Sequence, residues 1–337
     1  MGQRNKDGMG RTWVGRSGRT RSASPCAWMA DAIRVLALAV ALLLLIGVLP
    51  AGRVGATETE SPSATPLRLI SLNPSLTAIV VRLGAGDSLV GIDDYSAQVL
   101  PELSDLPRVG GLFDPNLEAV VALKPDRVLI VAGVDQETHA ARIKKLGLEV
   151  EVYANERLDE VLENITRLGR LLGREDVAAR RKAEILATRR AVTAATADRP
   201  RPATVAIVDR SPLYLVGAET FLDEMLESVG ATNLVRRLPA GYPRGSIEWL
   251  IAARPELLLD MTPGADEASK FWSRWPSLPA VSAGRVISVE ASRVSMPGPD
   301  LDDALRSLAV VVHGPEIEQA IDRALEANAN ADDERTP

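Results

Sequence analysis

A ten-residue pattern that occurs twice constrains the fold of this chain more than any other feature. Leu-Glu-Ala-Val-Val-Ala-Leu-Lys-Pro-Asp at 117–126 aligns without gaps to Ile-Glu-Trp-Leu-Ile-Ala-Ala-Arg-Pro-Glu at 247–256, and an apolar strand-like run follows each copy. Each copy reads as a short helix closed by a basic residue and a proline, because proline cannot continue a helix and disfavours helical geometry in the residue before it. A second echo pairs Leu83-Gly84-Ala85 with Val229-Gly230-Ala231, each ending a helix. Repeated helix–Pro–strand grammar predicts two lobes of common architecture.

From residue 67 onward, short β-type runs alternate with helix-length segments, the pattern of α/β architecture. In the first set, 67–72, 88–92, 127–132 and 150–153 read as strands, and 75–83, 117–123 and 140–146 as helices. After Arg201-Pro202 a second set offers strands 204–208, 214–216, 257–260 and 286–289, with helices 221–229, 247–253 and 300–312. Between the sets, 158–172 and 175–197 have helical periodicity and no strand signal. The second of these would reach about 35 Å at 1.5 Å per residue. Its Arg and Glu residues leave one face in water, and its place between two α/β sets favours a rigid strut over a solvated connector. The expectation is an α/β protein with an N-terminal lobe at 67–155, a helical strut at 156–200, a C-terminal lobe at 201–328 and a disordered tail at 329–337.

The chain's net charge of −6 conceals an asymmetry: residues 1–56 carry eight basic and two acidic residues, leaving −12 on the remaining 281. So acidic a body lacks the clustered Lys and Arg that nucleic acid requires. Residues 35–49 are fifteen uncharged, mostly apolar residues, followed by Pro50 and then by Val54-Gly55-Ala56. Basic, apolar and small-residue regions in that order make a secretory signal peptide cut after Ala56, with Met29 as an alternative start. The other reading is an uncleaved anchor, since 35–52 are eighteen uncharged residues, at the short edge of what spans a bilayer. The single cysteine, Cys26, precedes the apolar run, so no lipid-anchoring cysteine follows it. Residues 57–66 read as a disordered polar linker, and the expected compartment is the periplasm. One Cys and two His leave neither a disulfide scaffold nor a Cys/His zinc site.

Several segments taken together resemble one family. They are Leu69-Ile-Ser-Leu-Asn-Pro-Ser-Leu-Thr, Leu89-Val-Gly-Ile-Asp-Asp-Tyr95, Leu106-Pro-Arg-Val-Gly-Gly, the block at 116–126, and Met296-Pro-Gly-Pro299. Over about residues 67–315 the chain resembles the substrate-binding proteins of ABC importers for vitamin B12, haem and iron-siderophores, most of all the vitamin B12 binders; the block at 116–126 is the most specific carrier. The resemblance implies two lobes on a long backbone helix with a ligand cleft between them. It implies capture and release of an unaltered ligand without catalysis, with no intrinsic cofactor or bound metal. The ligand would be cobalamin, or alternatively haem or a ferric siderophore. A monomer would deliver it to a permease dimer with its ATPase subunits. Glu118 and Glu248, one per lobe, would meet arginines of that dimer. From the residues alone, both read equally as first-turn carboxylates stabilised by the helix dipole.

The same resemblance places Tyr95, Phe113, Tyr214 and Tyr242 at the cleft, with Leu112 in place of Phe113 if the register of the 116–126 block is kept. Ligands of open α/β sheets bind beyond the strand carboxyl ends, and aromatic walls suit a broad ring system. Arg210 and Arg293, together with Arg108 and Arg244, are candidate cleft cations. Haem propionates or siderophore carboxylates would need such guanidinium groups, whereas the amide periphery of cobalamin would not. Met296 and Asp300 flank Pro-Gly-Pro where family members often carry Arg, which argues against an anionic ligand. Phe271, Trp272 and Trp275 have helical spacing and read as packing; His139 and His313 read as surface residues, and Tyr95 is the candidate phenolate for ferric iron. Readings of another class are a metal-dependent enzyme and a membrane-anchored interaction protein. Against the enzyme, Asp93-Asp94 has no supporting ligand set, and neither a nucleophile–base pair nor a Gly-rich phosphate loop is present.

Overall fold

The computed structural model describes residues 67–333 except 112–113, 291–293 and 295. The expected signal peptide at 1–56 and linker at 57–66 lie outside the described residues. The first lobe contains β1 (Leu69–Ser71), α1 (Pro74–Arg82), β2 (Leu89–Ile92), α2 (Asp94–Val99), a small hairpin of β3 (Gly110–Gly111) and β4 (Asp114–Pro115), α3 (Leu117–Ala122), β5 (Arg127–Val131), α4 (Val134–Lys145) and β6 (Val150–Tyr153). Two helices follow, α5 (Leu158–Leu172) and α6 (Glu175–Thr196). The second lobe has β7 (Ala203–Arg210), β8 (Leu213–Leu215), α7 (Phe221–Ser228), β9 (Thr232–Asn233), α8 (Ile247–Ala253), β10 (Leu257–Asp260), α9 (Ala265–Trp272), α10 (Pro279–Ser282) and β11 (Val286–Ser288). The chain then continues through α11 (Leu301–His313) and α12 (Ile317–Asp333).

The first sheet runs β2-β1-β5-β6, all parallel. The second contains the same path, β9-β7-β10-β11, also parallel, with β8 added antiparallel to the far end of β7. The sequence repeat encodes how each helix hands over to its sheet. α3 and α8 are both followed by a residue in the left-handed region, Lys124 at φ 48° and Arg254 at φ 53°, and the next residue is proline. The acid closing each repeat then locks the central strand. The Arg68 backbone N–H donates to the Asp126 carboxylate at 2.8 Å, and the Ala203 N–H donates to Glu256 at 2.9 Å. Asp126 N–H and Glu256 N–H return the bond to the carbonyls of Arg68 and Ala203.

Strand residues alternate between faces, as a period of two requires. Leu69, Leu129 and Val131 enter one cluster of buried side chains, while Ile70, Leu72, Val128 and Ile130 pack on the opposite face with Val120, Ala140 and Ile143. In the second sheet Ala206, Leu257 and Leu259 belong to the first of these clusters, and Val205, Ile207 and Leu258 pack outward with Leu250 and Trp272. The shared cluster also holds residues of α1, α5, α6, α7, α11 and α12. One core therefore runs through both lobes by way of these helices.

Gly173, at φ 62°, turns α5 back into α6. The turn is tight enough that a Cβ on Gly169 would stand 2.4 Å from the Ala178 methyl. α6 has 22 residues, about 33 Å, close to the expected strut. Arg181 is buried on this helix. Its Nε donates to the Pro299 carbonyl at 2.8 Å, and its terminal nitrogens hold both Asp302 oxygens as well as Glu184 at 2.9 Å. From α1, the Ser75 hydroxyl donates to the Pro297 carbonyl and Arg82 pairs with Asp300 at 3.5 Å. Residues 297–302 are thus fastened to the first lobe and to the strut together.

Two expectations change. α4 starts six residues before 140, because its polar opening, Asp135-Gln136-Glu137, offers no apolar anchor to read. The tail expected from 329 is helical as far as Asp333. Ile317 and Ile321 are fully buried and seat α12, and alanines 327, 329 and 331, strong helix formers, carry it onward. No helix among the described residues is long and apolar enough to cross a membrane.

Candidate functional site

At the carboxyl edge of the first sheet, Asp93 caps α2. It accepts from the backbone N–H groups of Tyr95 at 2.9 Å and Ser96 at 3.0 Å, and from the Ser96 hydroxyl. Burial pushes the Asp93 carboxyl above its ordinary range, against the lowering effect of those bonds. The cap explains Asp93 without a metal. Its neighbour Tyr95 is held at the backbone and is itself exposed. The Ser96 hydroxyl continues through Thr77 to Ser71 in a buried hydroxyl chain, which stiffens the edge below Tyr95.

At the corresponding edge of the second lobe, β7 bulges between Ile207 and Asp209, then pairs Asp209 with Tyr214 on β8. Tyr214 in turn faces Arg244 across an antiparallel bridge. The bonds Leu215 N–H to Pro243 at 3.0 Å and Gly245 N–H to Leu213 at 2.9 Å flank that bridge. This is the narrow, non-hydrogen-bonded pairing, which brings opposed side chains closest and onto one face. Asp209, Tyr214 and Arg244 therefore form an exposed row across three segments. Tyr242 lies beside it after Gly241, at φ 82°. Partial desolvation by the surrounding protein raises the Tyr242 hydroxyl above the ordinary tyrosine range, and the Glu156 carboxylate adds to the rise. Glu156 belongs to the segment leading into α5, so Tyr242 stands where the chain leaves the first lobe.

Three of the four tyrosines are thus left open: Tyr95 is 47 % exposed, Tyr214 40 % and Tyr242 51 %. The fourth, Tyr153, is buried with the Arg167 guanidinium 4.2 Å from its ring centre. Arg108 is exposed on the segment bridged to Ile92 at the end of β2. Leu112, Phe113 and Arg293 lie outside the described residues.

Arg210 is placed otherwise than the sequence suggested. Its Nε donates to Asp260 at 2.8 Å, and a terminal nitrogen reaches the carbonyls of Thr262 at 3.4 Å and Gly264 at 3.5 Å. Asp260 is fully buried and also accepts from the Trp272 indole at 2.6 Å and the Thr262 N–H at 3.0 Å. Burial alone would raise the Asp260 carboxyl; the bonds from Arg210, Trp272 and Thr262 outweigh it and hold it below the usual range. Arg210 is committed to closing the sheet edge. The signal for its partner was an acid ending the apolar run at 257–260. Phe271, Trp272 and Trp275 pack together with ring centres 4.9–5.8 Å apart. His313, expected on the surface, is half-buried and donates from Nε2 to the Val229 carbonyl at 2.7 Å. Burial is the main cause of its lowered pKa.

Glu118 and Glu248 occupy matching places. Asn116 caps α3 through the Ala119 N–H at 3.1 Å, and Ser246 caps α8 through the Trp249 N–H at 3.2 Å. Each glutamate is the second helical residue, and both are exposed. Hydrogen bonds from its own N–H and from the Ser246 hydroxyl hold the Glu248 carboxyl below the ordinary range. A groove of about 900 Å³ lies elsewhere, at the amino edge of the second sheet beside Pro202, Arg285, Ile287 and His313. Parallel sheets carry ligands at the carboxyl edge, so the tyrosines mark the candidate site. Among the described residues, no group of three or more His, Cys, Asp or Glu is placed to hold a metal ion.

Residues 69–292 match the family described as periplasmic binding protein. The cobalamin-binding protein of Halobacterium salinarum (strain ATCC 29341) is 28 % identical over 265 residues, 75 % of this chain and 71 % of that protein. The vitamin B12-binding protein of Vibrio vulnificus (strain CMCP6) is 24 % identical over 242 residues, 71 % of this chain and 88 % of that protein. Among solved structures, a periplasmic heme-binding protein from Roseiflexus sp. RS-1 in apo form has a TM-score of 0.66 at 24 % identity, covering 76 % of this chain and 100 % of its own. The periplasmic vitamin B12-binding protein of Vibrio cholerae has a TM-score of 0.65 at 22 % identity, covering 75 % and 97 %. These structural likenesses show a shared fold. The family match extends from the first strand to beyond β11 and takes in both copies of the repeat: the chain belongs to the periplasmic binding protein family.

Proposed function

We propose that this protein captures a corrinoid between its lobes and delivers it, chemically unchanged, to an ABC importer. The observation that carries the reading is the set of open tyrosines at the sheet edges, Tyr95 on one lobe and Tyr214 and Tyr242 on the other. Phenol rings supply large apolar area with a polar tip, suited to a broad macrocycle edged with amides. The relatives named for cobalamin and vitamin B12 support the same choice. In this reading Glu118 and Glu248 meet arginines on the two halves of a permease dimer, where carboxylate–guanidinium pairs give orientation as well as attraction.

The exposed Arg108 and Arg244 favour a second ligand, haem, whose propionates such cations would hold. Titration of the purified chain with cyanocobalamin, haemin and a ferric siderophore, followed by visible absorbance and calorimetry, separates the two. Stoichiometric binding of cyanocobalamin is expected. Binding of haemin or the siderophore with none of the corrinoid overturns the first reading.

A further inference from the structure

The repeat carries more than its two glutamates. Position by position, 117–126 and 247–256 have the same sequence of half-buried, exposed and buried residues throughout. The outward positions are Glu118, Val121, Ala122, Lys124 and Asp126 in one copy, and Glu248, Ile251, Ala252, Arg254 and Glu256 in the other. Asp126 and Glu256 are explained by the strand locks described above. Val121, 42 % exposed, and Ile251, 39 % exposed, have no such explanation. Each is a branched aliphatic left in water three residues after the glutamate, hence beside it on the same helix face. One exposed aliphatic needs no account. Two at equivalent places, each between the same carboxylate and the same cation, do.

The cations repeat as well. Lys124 and Arg254 both take a left-handed backbone conformation, where glycine is the usual residue, and neither forms an ion pair among the described residues. We propose that each lobe docks through a three-part patch of carboxylate, aliphatic and cation: Glu118, Val121 and Lys124 on one lobe, Glu248, Ile251 and Arg254 on the other. The partner is a permease dimer whose two equivalent faces each offer a cation, a dry apolar seat and an acid in matching order. A patch present twice on one chain fits a surface present twice by symmetry. The charges steer and orient the encounter, while the aliphatic supplies the share of affinity that salt does not screen.

This inference rests on the delivery reading, and its test separates the two. The exported chain, loaded with cyanocobalamin, is titrated against the purified corrinoid importer of the same organism in lipid nanodiscs. V121S with I251S is expected to dock about a hundredfold more weakly, and the milder V121A with I251A about tenfold, with cyanocobalamin affinity unchanged as proof of folding. K124E with R254E is expected to weaken docking at low salt and to approach the parent at about 0.5 M salt. Parental docking by V121S with I251S overturns the proposal and leaves delivery standing. A parent chain that binds cyanocobalamin yet does not dock overturns delivery, and this inference with it.

Discussion

Replacing Arg210 by Met separates a structural from a ligand-binding role. Met keeps much of the apolar stem but removes the guanidinium, leaving Asp260 fully buried with only the Trp272 indole and the Thr262 N–H as donors. Breaking a buried pair from one side costs about 3–5 kcal/mol, because an uncompensated charge remains. At about 2–4 °C per kcal/mol for a chain of this size, the melting temperature at pH 7 should fall by roughly 10 °C, read by circular dichroism. The deficit should also depend on pH. In the parent, Asp260 sits below its unfolded pKa, so its contribution is present above that value and is lost as pH falls through the folded one. In R210M, burial is left less opposed and the carboxyl prefers its proton, so parent and variant should converge as the solution becomes acidic. R210M with D260N should recover part of the loss at pH 7. Ligand affinity of folded R210M should match the parent. A variant that melts like the parent but no longer binds ligand would refute the reasoning and return Arg210 to the cleft.

Gly169→Ala should destabilise the protein by about 1–3 kcal/mol, measured by urea denaturation, because its methyl would collide with Ala178 across the α5–α6 turn. Single alanine replacements of Tyr95, Tyr214 and Tyr242 should each weaken ligand binding about ten- to a hundredfold with melting temperatures near the parent's, since all three residues are exposed; calorimetry checks both claims. E118A with E248A should leave ligand affinity unchanged while uptake of labelled ligand by cells falls at least about tenfold; a loss of affinity instead would place those carboxylates in the pocket.

What the sequence made legible was whatever depends on local order. The repeat reported two helix ends because left-handed Lys124 and Arg254 precede prolines, a stop that works without tertiary context. The strand 150–153 and the helices 158–172 and 247–253 begin and end where their sequence patterns do for the same reason: local periodicity and a local terminator coincide. What failed were pairings across long separations. Arg210 and Asp260 lie fifty residues apart, so the acid that ends the run at 257–260 is visible in the sequence but nothing local joins it to an Arg at the end of another strand. Arg181 was missed likewise, although it interrupts the buried stripe of Ala178, Ile185, Thr188 and Val192 on α6. A lone charged residue in a buried stripe is a readable sign of a partnered acid. At the candidate site, the tyrosines were visible as aromatics near strand ends, but their openness depends on the bulge in β7 and the third segment at 243–245, which no local pattern announces.

The fastening of residues 297–302 by Ser75, Arg82 and Arg181 bears on how far the two lobes can move against each other. A joint whose halves swing freely closes at little cost in strain, whereas a restrained one works against its own bonds. Here the segment that leads into α11 is held by α1 and by α6 at once, so a wide swing of one lobe against the other would have to strain or break these bonds.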